Sequence, residues 1–127
     1  MDVSDIIYEM RMIKDRCEIE AIKRAGEIAS RVMEKTMDII KPGVSETEIA
    51  GEAYYHAYRL GSEEPKVYVN IGPYPRVPAE PFRDIRVGEN TAVTIVLGAG
   101  YNHYYTNMTR TIIFGNNDLG RKHLMYE

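Results

Sequence analysis

The stretch from Val87 to Gly115 constrains the fold more than any other part of the chain. It contains two runs rich in β-branched and aromatic residues, Thr91 to Leu97 and Tyr104 to Phe114. Such residues favour strands, whereas the connection from Gly98 to His103 is rich in glycine and asparagine, which favour tight turns. The sequence therefore predicts a β-hairpin at this position.

Two helices are predicted ahead of the hairpin. Apolar residues recur with helical spacing from Asp15 to Ile40, which gives the first helix one apolar face and one charged face. Lys41-Pro42-Gly43 ends it, because proline cannot continue the helical hydrogen bonds. Ser45 and Glu48 have the spacing of a capping box, and they predict the start of a second helix that runs to about Leu60.

A short strand and a proline-rich loop connect the second helix to the hairpin. Val67 to Ile71 predicts the strand, and the prolines within residues 72–81 exclude a helix or a central strand there. The sequence thus predicts an α+β fold in a single domain over residues 1–127, with two helices packed on an antiparallel sheet. A further helix is predicted from Leu119, and because it stops at Glu127 we expect the domain to be truncated.

Composition narrows the classes of function. The chain has 127 residues and a net charge of −3, so no cluster of positive charge supports a nucleic-acid partner. Cys17 is the single cysteine, which excludes a disulfide framework, and we expect its side chain to be packed in the first helix. No apolar run approaches the ~20 residues of a membrane span, and no signal peptide is visible. A cytoplasmic location without a membrane partner is predicted.

A series of short motifs resembles, in content and order, the creatinase/aminopeptidase or "pita-bread" family of metallopeptidases. The motifs are Met12-Ile13-Lys14 with Glu18-Ile19, Ile40 to Glu46, Asn70 to Pro73, Leu97-Gly98-Ala99 with Tyr101, and Thr109-Arg110-Thr111 with Gly115. Within the family the chain most resembles Xaa-Pro dipeptidases (prolidases) and aminopeptidase P, over residues 12–127. The resemblance implies the first half of a catalytic domain, in which two similar α+β halves enclose a cleft.

The resemblance also implies a site for two divalent metals such as Mn, Co or Zn. Family members hold these ions with carboxylates and a histidine, and two of the carboxylates are aspartates on this hairpin. Carboxylates suit the task, because closely spaced divalent ions need anionic oxygens between them. Here Val96 and Asn107 occupy the two aspartate positions, and Ala79 and Glu80 stand where the histidine of the preceding loop is expected. The sequence therefore predicts no metal cofactor, no metal ligand and no catalytic residue.

Three functions remain open. The first is a prolidase-like domain that has lost its metal site and its activity. The second is a non-enzymatic module that binds a peptide or protein through the proline-rich loop and the tyrosine-rich hairpin. The third is a metal-independent, creatinase-like hydrolase that would use His103 as its base.

Strand alternation would place His103, Tyr105 and Asn107 on one face of the hairpin, where they form a candidate ligand face. The simpler interpretation is that they are ordinary strand side chains beside a histidine exposed to solvent. A homodimer is also predicted, because half of this fold would leave an apolar sheet face uncovered and a second copy would cover it with isologous contacts.

Overall fold

The computed structural model describes residues 3–72, 76, 80–82 and 84–115. Within these ranges three helices precede three strands. They are α1 (Ser4–Met12), α2 (Arg16–Asp38), α3 (Glu46–Arg59), β1 (Glu63–Ile71), β2 (Ala92–Tyr101) and β3 (Tyr104–Ile113). The strands form one antiparallel sheet in the order β1-β2-β3, and α2 and α3 pack on one face of it. The predicted helix from Leu119 lies outside the described residues.

The helix α2 follows the prediction closely, because its apolar spacing gives it a face that the sheet can bury. Its buried residues are Ala21, Ala25, Ile28, Ala29, Val32, Met33 and Thr36. Asp15 caps its start by accepting the N–H of Glu18, and the Glu18 carboxylate accepts the N–H of Asp15 in return. Cys17 is exposed rather than packed, because it lies in the first turn of the helix, ahead of the first buried position.

The start of α2 is tied to the start of β3 through Glu18. The hydroxyl of Tyr104 donates a hydrogen bond of 2.5 Å to Glu18 Oε1. This bond, followed by the one from the Asp15 N–H, holds the pKa of the Glu18 carboxyl below its ordinary value. By contrast, α1 has no buried residue and contributes nothing to the core. None of the helices within the described ranges combines the length and the apolar character that a membrane crossing requires.

The second capping box is also present, and it sets the start of α3. Ser45 accepts the N–H of Glu48, and Glu48 Oε2 accepts the N–H of Ser45. Residues on each side of this cap bond to the segment before the hairpin, since Gly43 N–H donates to Val87 O and Glu46 N–H donates to Ile85 O. The start of α3 is thereby fixed against the chain that leads into β2.

The hairpin is tighter than predicted. The strands β2 and β3 pair without interruption from Ala92↔Ile113 to Tyr101↔Tyr104, which leaves only Asn102 and His103 in the turn. Both turn residues have positive φ, 48° and 66°, as the two-residue turn that matches the sheet twist requires. The prediction of a connection from Gly98 to His103 was wrong, because the glycines at 98 and 100 stay extended and pair within the ladder.

Candidate functional site

The face of the sheet turned away from the helices, here called the open face, carries the candidate residues. The other face is the core side, where Val67, Val69, Val93, Ile95 and Leu97 are at most 2% exposed. Alternation places the intervening side chains on the open face. They are Lys66, Tyr68 and Asn70 of β1, Ala92, Thr94, Val96, Gly98 and Gly100 of β2, and Tyr105, Asn107, Thr109, Thr111 and Ile113 of β3.

This composition corrects one expectation. The open face was expected to be apolar, but threonine, asparagine, tyrosine and glycine occupy most of its positions. Cross-strand contacts are polar as well, since the hydroxyls of Thr94 and Thr111 lie 3.0 Å apart. A polar face can remain in water without a partner, so the argument for a dimer that covers it loses its physical basis.

Val96 and Asn107 are neighbours on the open face. Val96 pairs with Thr109 and Gly98 pairs with Asn107, so the two residues are related diagonally across β2 and β3. Diagonal partners on one face are about 7–8 Å apart, within reach of side chains that share a ligand. The fold thus brings together the two positions at which the family resemblance implies aspartates.

The amide of Asn107 lies over the backbone of β2. A Cβ placed on Gly98 would come within 2.9 Å of Asn107 Oδ1, so the amide oxygen occupies the space above this glycine. Valine offers no donor atom, and the amide oxygen of Asn107 is uncharged and is directed at a neighbouring strand. Among the described residues, no group of three or more His, Cys, Asp and Glu side chains is placed to hold a metal ion.

Tyr105 also crosses the open face. Its ring covers Gly100, where an added Cβ would lie 2.8 Å from the ring carbon Cε1, and its hydroxyl lies 3.3 Å from Glu64 Oε2. Desolvation, followed by the charge and the hydrogen bond of Glu64, raises the pKa of the Tyr105 hydroxyl above its ordinary value. The hydroxyl therefore keeps its proton at neutral pH and acts as a hydrogen-bond donor.

His103 does not join this face. It lies in the turn with positive φ, and its side chain is 98% exposed. Its backbone N–H donates to Glu63 Oε2 at 2.8 Å, and its Nδ1 lies 3.9 Å from the same oxygen. Alternation therefore holds for Tyr105 and Asn107 but fails for His103, because His103 belongs to the turn and β3 starts one residue later, at Tyr104.

The side chains of Asn107 and Tyr105 lie close to Gly98 and Gly100, and these contacts give a prediction for the open face. We expect Gly100→Ala to lower the free energy of unfolding by about 1–3 kcal/mol, because the new methyl group would meet both the Tyr105 ring and a backbone oxygen of Glu63. Gly98→Ala is the matched control, expected to cost less than about 1 kcal/mol, since the Asn107 amide can rotate away. Urea denaturation of both variants measures this, and equal losses would contradict the described position of Tyr105.

A buried ion pair lies at one end of the sheet, where the proline-rich loop follows β1. The Glu46 side chain is fully buried, and its Oε2 lies 2.7 Å from Nη2 of Arg76. Glu46 Oε1 accepts the N–H of Ile71 at 2.8 Å, and Oε2 also accepts the N–H of Phe82 at 2.8 Å. The Arg76 guanidinium lies over the Phe82 ring, 4.5 Å from its centre. Glu46 thus ties α3, the end of β1 and two loop residues together.

No local pattern in the sequence indicates this cluster. Glu46 follows the cap of α3, where an exposed acid is usual, and Arg76 lies 30 residues later between prolines. The one signal in the sequence is that Glu46 lies within the capping motif formed by Ser45 and Glu48. That motif explains the start of α3 but does not indicate that Glu46 is buried. Its burial depends on a contact across the fold, and this is why the residue could not be singled out from the sequence.

Comparison with known proteins identifies the family. Residues 20–126 match the model of metallopeptidase family M24. The chain belongs to this family. The Xaa-Pro dipeptidase of Pyrococcus furiosus is 34% identical over 116 residues, which are 90% of this chain and 33% of that protein. The chain spans about a third of the length of the curated relatives it matches.

Solved structures of M24 relatives share the fold. The prolidase from Pyrococcus horikoshii OT3 superimposes with a TM-score of 0.88 at 31% identity, over 98% of this chain and 36% of that one. The X-Pro aminopeptidase from Thermotoga maritima MSB8 gives a TM-score of 0.83 at 31% identity, over 96% of this chain and 35% of its own. The family resemblance and the predicted fold class, half of a pita-bread fold, are therefore confirmed.

Proposed function

We propose that this M24 chain is a prolidase-like domain that does not hold the family's two metals, lacks peptidase activity, and acts as a peptide- or protein-binding module. The observation that carries this proposal is the diagonal placement of Val96 and Asn107 on the open face, at the two positions where the resemblance implies aspartates. Two divalent ions a few ångströms apart repel each other strongly unless anionic ligands lie between them. A hydrocarbon side chain and a neutral amide supply no such charge.

The geometry of the open face supports binding rather than hydrolysis. Tyr105 supplies a protonated hydroxyl, and Thr109 and Thr111 supply further exposed hydroxyls beside it. Neutral donors and acceptors on a rigid sheet suit the main-chain amides of an extended peptide. The hydrolase that would use His103 has no comparable support, because the exposed turn places that imidazole away from the face. The cytoplasmic location stays a prediction from the sequence.

Calorimetry with Mn²⁺ and Co²⁺ tests the first half of the proposal. We expect no binding below millimolar metal and no metal-dependent hydrolysis of dipeptides such as Met-Pro by the 127-residue chain. The Xaa-Pro dipeptidase of Pyrococcus furiosus, assayed in parallel, is the positive control for turnover. Micromolar metal binding, or turnover that chelation abolishes, would refute the proposal.

A gain-of-function variant tests whether positions 96 and 107 can form a metal site. Val96→Asp combined with Asn107→Asp places two carboxylates on adjacent strands, and we expect this variant to bind Mn²⁺ weakly. At a metal concentration ten times the dissociation constant, binding should raise the free energy of unfolding by about 1.4 kcal/mol. Val96→Asn is the matched control, because it adds an oxygen without charge, and metal should leave its melting temperature unchanged. An equal response of both variants would show that the two positions do not form a site.

The binding half of the proposal needs its own measurement. Titration of labelled protein with proline-containing peptides, followed by backbone amide shifts, should perturb Tyr105, Asn107, Thr109 and Thr111. Shifts confined to the helices, or no shifts at millimolar peptide, would remove the support for a peptide-binding face.

A further inference from the structure

The proline-rich loop crosses the outer edge of β1 at Arg76. The backbone of Arg76 lies on the open face, because its N–H donates to Asn70 Oδ1 at 3.2 Å and the Asn70 side chain points to that face. The guanidinium lies at the strand edge, where Nη2 donates to Val69 O at 3.1 Å, and it reaches Glu46 on the helix side of the sheet. One residue of the loop thus connects the open face to the start of α3.

The loop lies over one end of the open face. Asn70 is 6% exposed, whereas its partner Thr94 on β2 and the next residue across, Thr111 on β3, are less buried. The backbone N–H of Arg76 lies against the Asn70 side chain, so this part of the loop contributes to the burial of Asn70. The row of residues from Asn70 to Thr111 is therefore bounded by the loop on the β1 side.

The attachment of the loop depends on one carboxylate. Glu46 Oε2 accepts hydrogen bonds from Arg76 Nη2 and from the Phe82 N–H, at two separate points of the loop. Among the described residues, neither Nε nor Nη1 of Arg76 has a hydrogen-bond partner, although both atoms are buried. Buried donors without acceptors oppose the burial of the guanidinium, so the charge of Glu46 must offset them. Loss of that charge should therefore release the loop.

We propose that Glu46 is a positioning residue for the open face, which holds the proline-rich loop over Asn70 and so fixes the boundary of the peptide-binding surface at its β1 end. The inference rests on the proposed function, because a fixed boundary affects binding only if the open face binds a peptide. The Glu46 side chain is fully buried and does not contact a ligand on that face. It acts by preorganisation, since a loop that is already ordered loses less entropy when a peptide contacts it.

The two phenylalanines of the chain allow the loop to be observed separately from the core. The Phe82 ring lies against the Arg76 guanidinium, whereas Phe114 packs against the hydrophobic core. Fluorine NMR of a chain labelled with fluorophenylalanine should give one signal from each. We expect Glu46→Gln to move the Phe82 signal toward its position in the unfolded chain and to leave the Phe114 signal in place. Glutamine keeps the shape of the side chain but removes the charge that holds Arg76.

Trypsin provides a second measurement, because it must bind the same Arg76 side chain that Glu46 holds. We expect Glu46→Gln to accelerate cleavage after Arg76 by about tenfold or more, since local release no longer opposes an ion pair. Leu97→Ala is the control for general destabilisation. It weakens the core but keeps the ion pair, so it should not favour cleavage after Arg76 over cleavage at the arginines of α2.

Arg76→Lys keeps the test decisive if Glu46→Gln does not fold. Lysine leaves a positive charge beside the buried carboxylate, so this variant should fold. It lacks the planar fork that reaches Glu46, Val69 O and Glu80 O together, and it should therefore shift the Phe82 signal in the same direction.

Peptide titration then measures the effect on binding. We expect Glu46→Gln to raise the dissociation constant of a proline-containing peptide by about tenfold and Leu97→Ala to leave it unchanged. A Phe82 signal and a cleavage rate that Glu46→Gln leaves at their native values would overturn the proposal. An unchanged dissociation constant in a variant whose loop has been released would overturn it as well. A native chain that binds no peptide at millimolar concentration would refute the proposed function and the role of the loop in binding together, whereas the fluorine and cleavage measurements would still decide whether Glu46 holds the loop.

Discussion

Replacing Arg76 with alanine is expected to lower the free energy of unfolding by about 3–5 kcal/mol. The loss is large because Glu46 is fully buried, so the variant leaves a carboxylate without its positive partner. A buried charge without a partner is destabilising, because it has lost its hydration and gains no compensating attraction. Guanidinium denaturation at neutral pH measures the change.

Arg86→Ala is the matched control for this prediction. Arg86 also pairs with a glutamate near the start of α3, since its Nη1 lies 3.3 Å from Glu48 Oε2, but both side chains are more than half exposed. Solvent screens such pairs, so we expect a loss below about 1 kcal/mol. Similar losses for the two arginine variants would show that the buried pair with Glu46 contributes no more to the free energy of unfolding than the exposed pair with Glu48.

Leu97→Ala is expected to lower the free energy of unfolding by about 2–5 kcal/mol. Leu97 is 1% exposed on the core side of β2, where it belongs to the hydrophobic core on which α2 packs. Alanine would leave a cavity that the surrounding helices and strands fill only in part. Thermal and urea unfolding should both report the loss.

The neighbouring residue supplies the control. Val96 lies on the opposite face of the same strand and is partly exposed, so Val96→Ala should cost less than about 1 kcal/mol. A larger loss from Val96→Ala than from Leu97→Ala would mean that the two faces of β2 have been assigned the wrong way round. The pair therefore tests the placement of Val96 on the open face, on which the proposed loss of metal binding depends.

Local signals determined much of the fold in advance. The capping box at Ser45 and Glu48 identified the start of α3, because both hydrogen bonds of that motif form within one turn of chain. The apolar spacing of α2 identified its buried face, because a helix repeats every 3.6 residues whatever it packs against. The runs on either side of Gly98 to His103 identified the hairpin, although the tight turn at Asn102 and His103 required the strand register.

Other features depended on contacts between distant residues. Cys17 was expected to be packed, but only the docking of α2 on the sheet shows that the first turn projects beyond the core. His103 was grouped with Tyr105 and Asn107, but it belongs to the turn, and β3 starts only at the next residue. The open face was expected to be apolar, and its polar character became apparent once the register assigned each residue of β1, β2 and β3 to a side.

The sequence by itself determined the family resemblance, the order of the elements and the presence of Val96 and Asn107 at the positions where the resemblance implies aspartates, since these are properties of consecutive residues. The tertiary structure alone decided that these two positions adjoin on one face, that Glu46 is buried against Arg76, and that side chains of α3 and the loop bond to the outer edge of β1. Each of these rests on pairs of residues far apart in the chain. Their proximity arises only when hydrophobic burial folds α2 and α3 onto the sheet.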